Sequence, residues 1–450
     1  MNDGRLAIVL QVRYGTAMPR LVAACILLLA TVARGDDLLA PGRVLDESSA
    51  DAAEGLLPAE VVAHYKAGHY RNTIAAWPTR APWDEGFAAA SKANASRLDV
   101  NARGTIVDKA TGKPATGLYG LPFQIDAQDP RAAVKIVWNA YYSLWRVAGT
   151  HDLLSMVWVG TKVKQREAVL ESHLLFLEGV PASRVPKDNP LDLAQQTRAV
   201  VTSPADLNGT ASLAWRFRDP DQQDQSWTYV PALRRVRQVS PANRSDGFLG
   251  SDLSQDDGAI FDGKPEDFEW TLVGEREGLV LADPASLTGT LTRTPRADGG
   301  YDETWPADQK VVGFQDPQWT GIAWAPLAPV LVKRKLWIIE AKARDPYYLF
   351  HRIELAFDQE TFQGVSSRKF DAQGALLRSL LFLVGAAQPI TVGGETIVLP
   401  GTSMGFILAE NLKQERATVA GTVPPGRSVH ERRIPIDAGM FALERLGTGK

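Results

Sequence analysis

The sequence predicts a mainly β protein of the α+β kind, built on one large curved antiparallel sheet covered by helices. Three observations carry this. From about residue 150 onward apolar and polar residues alternate in short runs separated by turn residues. A single strongly aromatic helical pattern precedes them, at 129–149. Proline and glycine, 28 and 38 of them, are spread along the chain instead of gathering into a linker, which favours one domain within the 450 residues.

The N-terminal region reads as an export signal. Arg20 precedes the apolar run LVAACILLLATVA at 21–33 and then polar RGDD, with a cleavage site expected near Gly35 and Met18 as an alternative start. Residues 1–35 are therefore set apart from the fold, and the remainder is expected in the periplasm. No other run approaches the roughly 18 apolar residues that span a bilayer. The lone cysteine, Cys25, lies inside the apolar run in a loose lipobox, VAAC, but apolar residues continue past it, so a lipid anchor is not expected. An exported chain without further cysteine has no disulfides and must be held by its core. With 22% charged residues and a formal charge of -3 there is no basic field to replace counterions on nucleic acid, which excludes that class of partner.

Residues 36–95 are expected as a helical or irregular extension in which DAAEGLLPAEVVAHYK, 51–66, forms a short helix with Pro58 near its first turn. In DPRAAVKIVWNAYYSLWRVAG, 129–149, Asp129 reads as N-cap and Pro130 as first helical residue. Val134, Trp138, Tyr141 and Trp145 recur on one face, with Arg131, Lys135, Tyr142 and Arg146 on the other. The run YYLFHRIELAFD at 347–358 alternates as a half-buried strand, with DQET as the following turn. LAWRFRDPDQQDQSWTYVPALRRVRQV reads as a meander whose PALR is a tight turn. A loop-rich insertion is expected around 285–330, containing Trp305, Trp319 and Trp324, within a single domain over 96–450.

The chemistry offered is sparse. GTSMG at 401–405 fits the nucleophile-elbow pattern around Ser403, yet few residues follow it and the upstream chain lacks alternating strand and helix, so a turn is the better reading. The six histidines are scattered, without metal-site spacing. SDLSQDDGAIFDGK puts Asp252, Ser254 and Asp256 at alternate positions, but the glycine is displaced to Gly258 and the terminal glutamate of a calcium loop falls on Gly263. No enzyme activity, metal or cofactor is expected. What remains is an aromatic surplus, twelve tryptophans, which suits a cavity for a hydrophobic ligand.

Four stretches then carry a resemblance: GLPFQIDAQDPRAAVKIVWNAYYSLWR, WTYVPALRRVRQVSPANRSDGFLGSDLSQDD, FDGKPEDFEWTLVGE and WIIEAKARDPYYLFHRIELAFDQETF. Together they resemble an uncharacterised proteobacterial periplasmic family related to the outer-membrane lipoprotein-sorting proteins LolA and LolB, from about residue 95 onward. Residues 36–95 depart from that family's glycine-rich N-terminal motif. The resemblance implies an unclosed half-barrel, a highly curved antiparallel sheet wrapped around helices with an apolar cavity between them, and a non-enzymatic role in carrying lipid or another hydrophobic molecule, in concert with an RND-type transporter and an outer-membrane protein. On that reading the helix plugs the concave face of the sheet, and the pattern nominates Trp138, Tyr141, Trp145, Trp227, Tyr229, Trp337 and Ile339 as cavity lining. The alternative is an envelope scaffold without cargo, docking a partner through Arg234, Arg235, Arg237, Asp252, Asp256 and Asp257.

Overall fold

A computed structural model describes residues 38–147, 149–186, 188–304, 310–399, 401, 405–421 and 430–447. The export signal, Trp305 and Ser403 lie outside the described residues.

Thirteen strands form the continuous antiparallel meander of an eighteen-stranded main sheet. They are β1 (Thr150–Gly160), β2 (Lys164–Phe176), β3 (Leu193–Ser203), β4 (Ala211–Phe217), β5 (Gln225–Val230), β6 (Arg235–Val239) and β7 (Phe268–Ala282). The return half is β8 (Val330–Ala343), β9 (Arg352–Asp358), β10 (Gly364–Phe370), β11 (Leu376–Phe382), β12 (Phe406–Asn411) and β13 (Arg416–Gly421). Hydrogen-bonded neighbours run from β6 down to β1, then from β13 down to β7, with every pair antiparallel. Nearly every pair therefore joins consecutive strands; β13 with β1 is the exception that brings the two halves together. Had β6 paired with β7 the meander would be a closed barrel, so the fold is an unclosed one. Register breaks at Trp158/Val159, Val169/Leu170, Ala356/Phe357, Lys369/Phe370 and Leu272/Gly274 add the bends that curl it.

In antiparallel pairs, directly opposed residues share a face, so the register tells which side chains lie together. One face carries Ile339, Leu355 and Ser367 in one row, and Trp158, Thr418, Ala409 and Leu380 in its continuation. The three longest of the described helices lie outside the sheet: α1 (Ala59–Lys66), α2 (Glu85–Arg97) and α3 (Ala132–Trp145). Helix α3 covers the Ile339 face, where Ile136, Val137, Tyr141 and Trp145 share a cluster with Trp337, Ile339, Leu355 and Phe357. The opposite face carries Val157, Val419, Leu408 and Leu381, packed under α1 and Tyr70 and under the segment bearing Ile322 and Trp324.

The sequence reading needs amending at three places. Helix α3 begins at Ala132 with Arg131 as its cap, and Asp129 instead accepts from the Arg131 amide at 2.8 Å within a preceding turn. Tyr142 and Arg146, assigned to a polar face, are buried, because α3 is enclosed nearly all round. Arg146 lies 4.0 Å from the Phe87 ring centroid and pairs with Asp84 at 2.7 Å, so α2 supplies the neutralising wall. Residues 310–328, expected as loops at an edge, are a cover for the sheet. The N-terminal segment also joins it, since Ile74 and Ala75 pair in parallel with Leu331 and Val332 of β8.

Trp324 is 1% exposed at the centre of that cover. Trp324→Ala is expected to cost about 3–5 kcal/mol of unfolding free energy in a urea titration; a loss below about 1 kcal/mol would contradict the assignment.

Candidate functional site

Between β6 and β7 the chain crosses the α3 face of the sheet as an irregular segment, 240–267, and this segment organises the site. Four of its aspartates are fixed one by one. Asp252 accepts from Arg416 at 3.1 Å and from Asn411 at 2.8 Å, with Arg378 3.5 Å away. Asp256 accepts from Arg244 at 2.6 Å and from the Tyr348 hydroxyl at 3.0 Å. Asp257 pairs with Lys369, both 2% exposed, and also accepts the Ser254 amide at 2.8 Å in a capping box. Asp262 accepts from Arg216 at 3.0 Å. These carboxylates are thus committed to protein cations, which is why the aspartate spacing makes a structural loop.

Between these anchors the backbone is strained. Ala259 and Ile260 sit at φ 45° and 80°, a region that a β-branched residue avoids. Ile260 is pressed onto Gly364, where any Cβ would stand 2.3 Å from Ile260 Cγ2, so only glycine fits in β10 at that point. Such strain persists where flanking contacts over-determine it.

Two cavities flank the segment. The first, about 190 Å³, lies between α3 and the sheet and is lined by Val137, Ala140, Tyr141, Leu144, Phe261, Phe357, Phe362 and Phe382, with Glu303 and Arg432 at its polar margin. The second, about 240 Å³, lies on the other side, over β3, β4 and β5, and is lined by Thr197, Ala199, Ser212, Ala214 and Ser226 below and by Arg244, Leu253, Asp257 and Asp262 above. Ala259 and Phe261 thus face one cavity while Asp257 and Asp262 face the other, and the segment is the wall between them.

The residues nominated from sequence are distributed unevenly around these spaces. Tyr141 lines the first cavity, its hydroxyl donating to the Gly263 carbonyl, and burial pushes its phenol well above the ordinary value, so it stays a neutral donor. Trp138 and Trp145 contact Tyr141 with ring centroids 5.8 and 5.3 Å away, but border a smaller space of about 50 Å³ near Glu178. Trp337 and Ile339 belong to the packed floor under α3. Trp227 and Tyr229 point to the opposite face, where Phe441 and Leu446 of the C-terminal segment cover them. Arg234, Arg235 and Arg237 are exposed on the β5–β6 hairpin, Arg234 in the left-handed conformation that ends its turn. Asp252, Asp256 and Asp257, nominated for docking, are instead buried, out of a partner's reach.

Sequence reasoning missed Phe261, Phe362 and Phe382, which lie in three separate elements and share no local spacing. Val137, Ala140 and Leu144 could have been found, being neighbours on one helical face beside Tyr141. The scattered histidines include one group the fold assembles: His151 and His173, opposed on β1 and β2, stack at 4.3 Å with ring planes 8° apart, beside Glu171. His151 spends both nitrogens on carboxylates, Glu431 at 2.6 Å and Glu171 at 3.0 Å.

Two measurements test these electrostatics. Lys369→Met strands the Asp257 charge and is expected to cost about 3–5 kcal/mol, with Lys369→Met/Asp257→Leu losing clearly less; equal losses in denaturant titrations would refute the pairing. For Asp152, burial alone would raise the carboxyl pKa, but Arg432 and a hydrogen bond from His430 at 2.6 Å hold it below the usual value. Its contribution is present above the unfolded value of about 3.9 and is lost as pH falls through the folded value. The stability gap between wild type and Asp152→Asn should therefore be full at pH 7 and shrink progressively below about pH 4.

Comparison with solved structures gives several neighbours, among them the following three. A Vibrio parahaemolyticus domain described as an outer-membrane lipoprotein-sorting protein aligns at TM-score 0.44 and 14% identity, covering 71% of this chain and 100% of its own. A DUF1329 family protein from Desulfovibrio piger aligns at 0.43 and 15%, covering 69% and 96%. A LolA superfamily protein from Nitrosomonas europaea aligns at 0.37 and 12%, covering 68% and 94%. None of the curated proteins matches the chain. The family model described as protein of unknown function (DUF1329) matches residues 44–422, which takes in the sheet, α3 and the wall segment, and the chain belongs to that family.

Proposed function

We propose that this protein is a non-enzymatic carrier or accessory protein of the periplasm that holds lipid or another hydrophobic molecule between the sheet and α3. The carrying observation is the first cavity, about 190 Å³, whose lining is dominated by Phe261, Phe357, Phe362, Phe382 and the apolar side of α3. A space with mostly hydrocarbon walls and a few polar groups at one margin selects apolar cargo. None of the described helices is long and apolar enough to cross a membrane, and the export signal read at 1–35 supports the periplasmic assignment.

Size limits the cargo. Drug-sized ligands occupy sites of roughly 300–1,000 Å³, above the first cavity. A single acyl chain or a comparable small molecule suits the space as it stands; a bulkier lipid requires α3 to move outward. Within the site, Tyr141 contacts the cargo, Trp138 and Trp145 brace it from behind, and Trp337 and Ile339 hold the floor. Action in concert with an RND-type transporter and an outer-membrane protein is what the family resemblance supports.

Ala140 lies on the cavity side of α3, so Ala140→Phe fills space without touching the ion pairs. Binding of the fluorophore N-phenyl-1-naphthylamine should weaken about tenfold, 1.4 kcal/mol, at unchanged melting temperature. Lipid seen by native mass spectrometry on periplasm-purified wild type should be depleted in the variant. Equal probe binding by both proteins would sink the proposal.

A further inference from the structure

The second cavity has a floor unlike the rest of the sheet. Strand positions buried under a cover ordinarily carry β-branched or aromatic side chains. Here two adjacent cross-strand rows carry small ones. One row runs Ala199 on β3, Ser212 on β4, Thr228 on β5 and Arg237 on β6; the other runs Thr197, Ala214, Ser226 and Val239 across the same strands. Each row is on one face, because the residues are direct antiparallel partners. The floor under the cavity therefore continues, strand by strand, to the arginines of the edge hairpin. Arg235 is two residues before Arg237 and shares that face.

Polarity changes steadily along this path. Its inner end is apolar, with Met156, Leu253, Phe248 and Ile407. Its middle offers the hydroxyls of Thr197, Ser212 and Ser226. Its outer end, on the exposed edge strand, is Arg237 with Arg235 beside it. At about 4.8 Å per strand, Arg237 lies roughly 10 Å from Ser212, within reach of one extended arginine and a bound head group.

Local charge favours an anion at the outer end. Three aspartates of the wall segment are paired inward, Asp256 with Arg244, Asp257 with Lys369 and Asp262 with Arg216, so none of these neutralises the edge arginines. Arg234, Arg235 and Arg237 make no ion pair among the described residues. Guanidinium groups bind carboxylate and phosphate through paired hydrogen bonds, and hydroxyls lining the way add donors.

We propose that the second cavity and the arginine edge strand form one site for an amphiphile with an anionic head, its chain at Met156, Leu253 and Ile407 and its carboxylate or phosphate at Arg235 and Arg237. This rests on the carrier reading and narrows the cargo to a charged amphiphile. The wall segment separates this site from the apolar cavity under α3, so the two differ in what they select.

Delipidated full-length mature protein titrated calorimetrically with dodecanoate, dodecyl phosphate and dodecanol, each below its micellar concentration, tests the site. Both anions should bind at least about tenfold more tightly than the alcohol, and the better of the two identifies the head group. Arg235→Ala/Arg237→Ala should lower anion affinity about tenfold and leave dodecanol and the melting temperature unchanged. Ser212→Phe, which fills the floor, should weaken all three. If wild type binds the three ligands equally, or if the double variant keeps the anion preference, the inference fails while the carrier reading stands. If neither these ligands nor N-phenyl-1-naphthylamine binds, both fall together.

Discussion

The structure depends on the pairing of the wall segment's carboxylates with cations of the sheet. A meander of thirteen strands within an eighteen-stranded sheet has one face too wide for a single fourteen-residue helix, and α3 covers only part of it. The rest is covered by irregular chain, whose backbone cannot satisfy itself as a helix or strand does. Four attachments hold it, Asp252 to Arg416, Asp256 to Arg244, Asp257 to Lys369 and Asp262 to Arg216, with Arg416 and Asp262 partly exposed. Buried pairs contribute little net stability over apolar replacements, yet breaking one is expensive, so they act chiefly to fix position. They determine where the wall stands, and with it the shape of both cavities.

The cavities themselves follow from topology. A closed barrel of side chains fills its interior, whereas a sheet that stops short of closing must be filled from outside by other elements. α3 brings an aromatic face; the wall segment brings anchored acids and strained backbone at Ala259 and Ile260. Neither fits the sheet like a strand, and the spaces left are the sites. The opposite face, covered by α1, Trp324 and the C-terminal Phe441, contributes stability and a much smaller space of about 20 Å³.

Local patterns made the fold readable and hid the site. The alternation around Ile353, Leu355 and Phe357 marks β9, because period two is a property of the strand itself. WTYV, PALR and RVRQV give β5, its turn and β6 for the same reason. The aromatic stripe of α3 was visible, but not the burial of Tyr142 and Arg146, since the neutralising Asp84 comes from an element some sixty residues away in sequence. Lys369 is likewise 112 residues from Asp257, so nothing near the aspartates announces their partner. Trp227 and Trp337 look alike in sequence and lie on opposite faces, because their faces are set by a chain of pairings that runs through the whole sheet.

The absence of a β6–β7 pair has one more consequence. These two edges are consecutive along the chain, so residues 240–267 tie the ends of the sheet together as a string ties a bow. The tension is set by how many residues the string has and where it is pinned. Where the string is pinned sets how far apart the limbs of the bow are held, and with that the width of both cavities. Cavity width and curvature of the sheet are, in this molecule, a single mechanical variable.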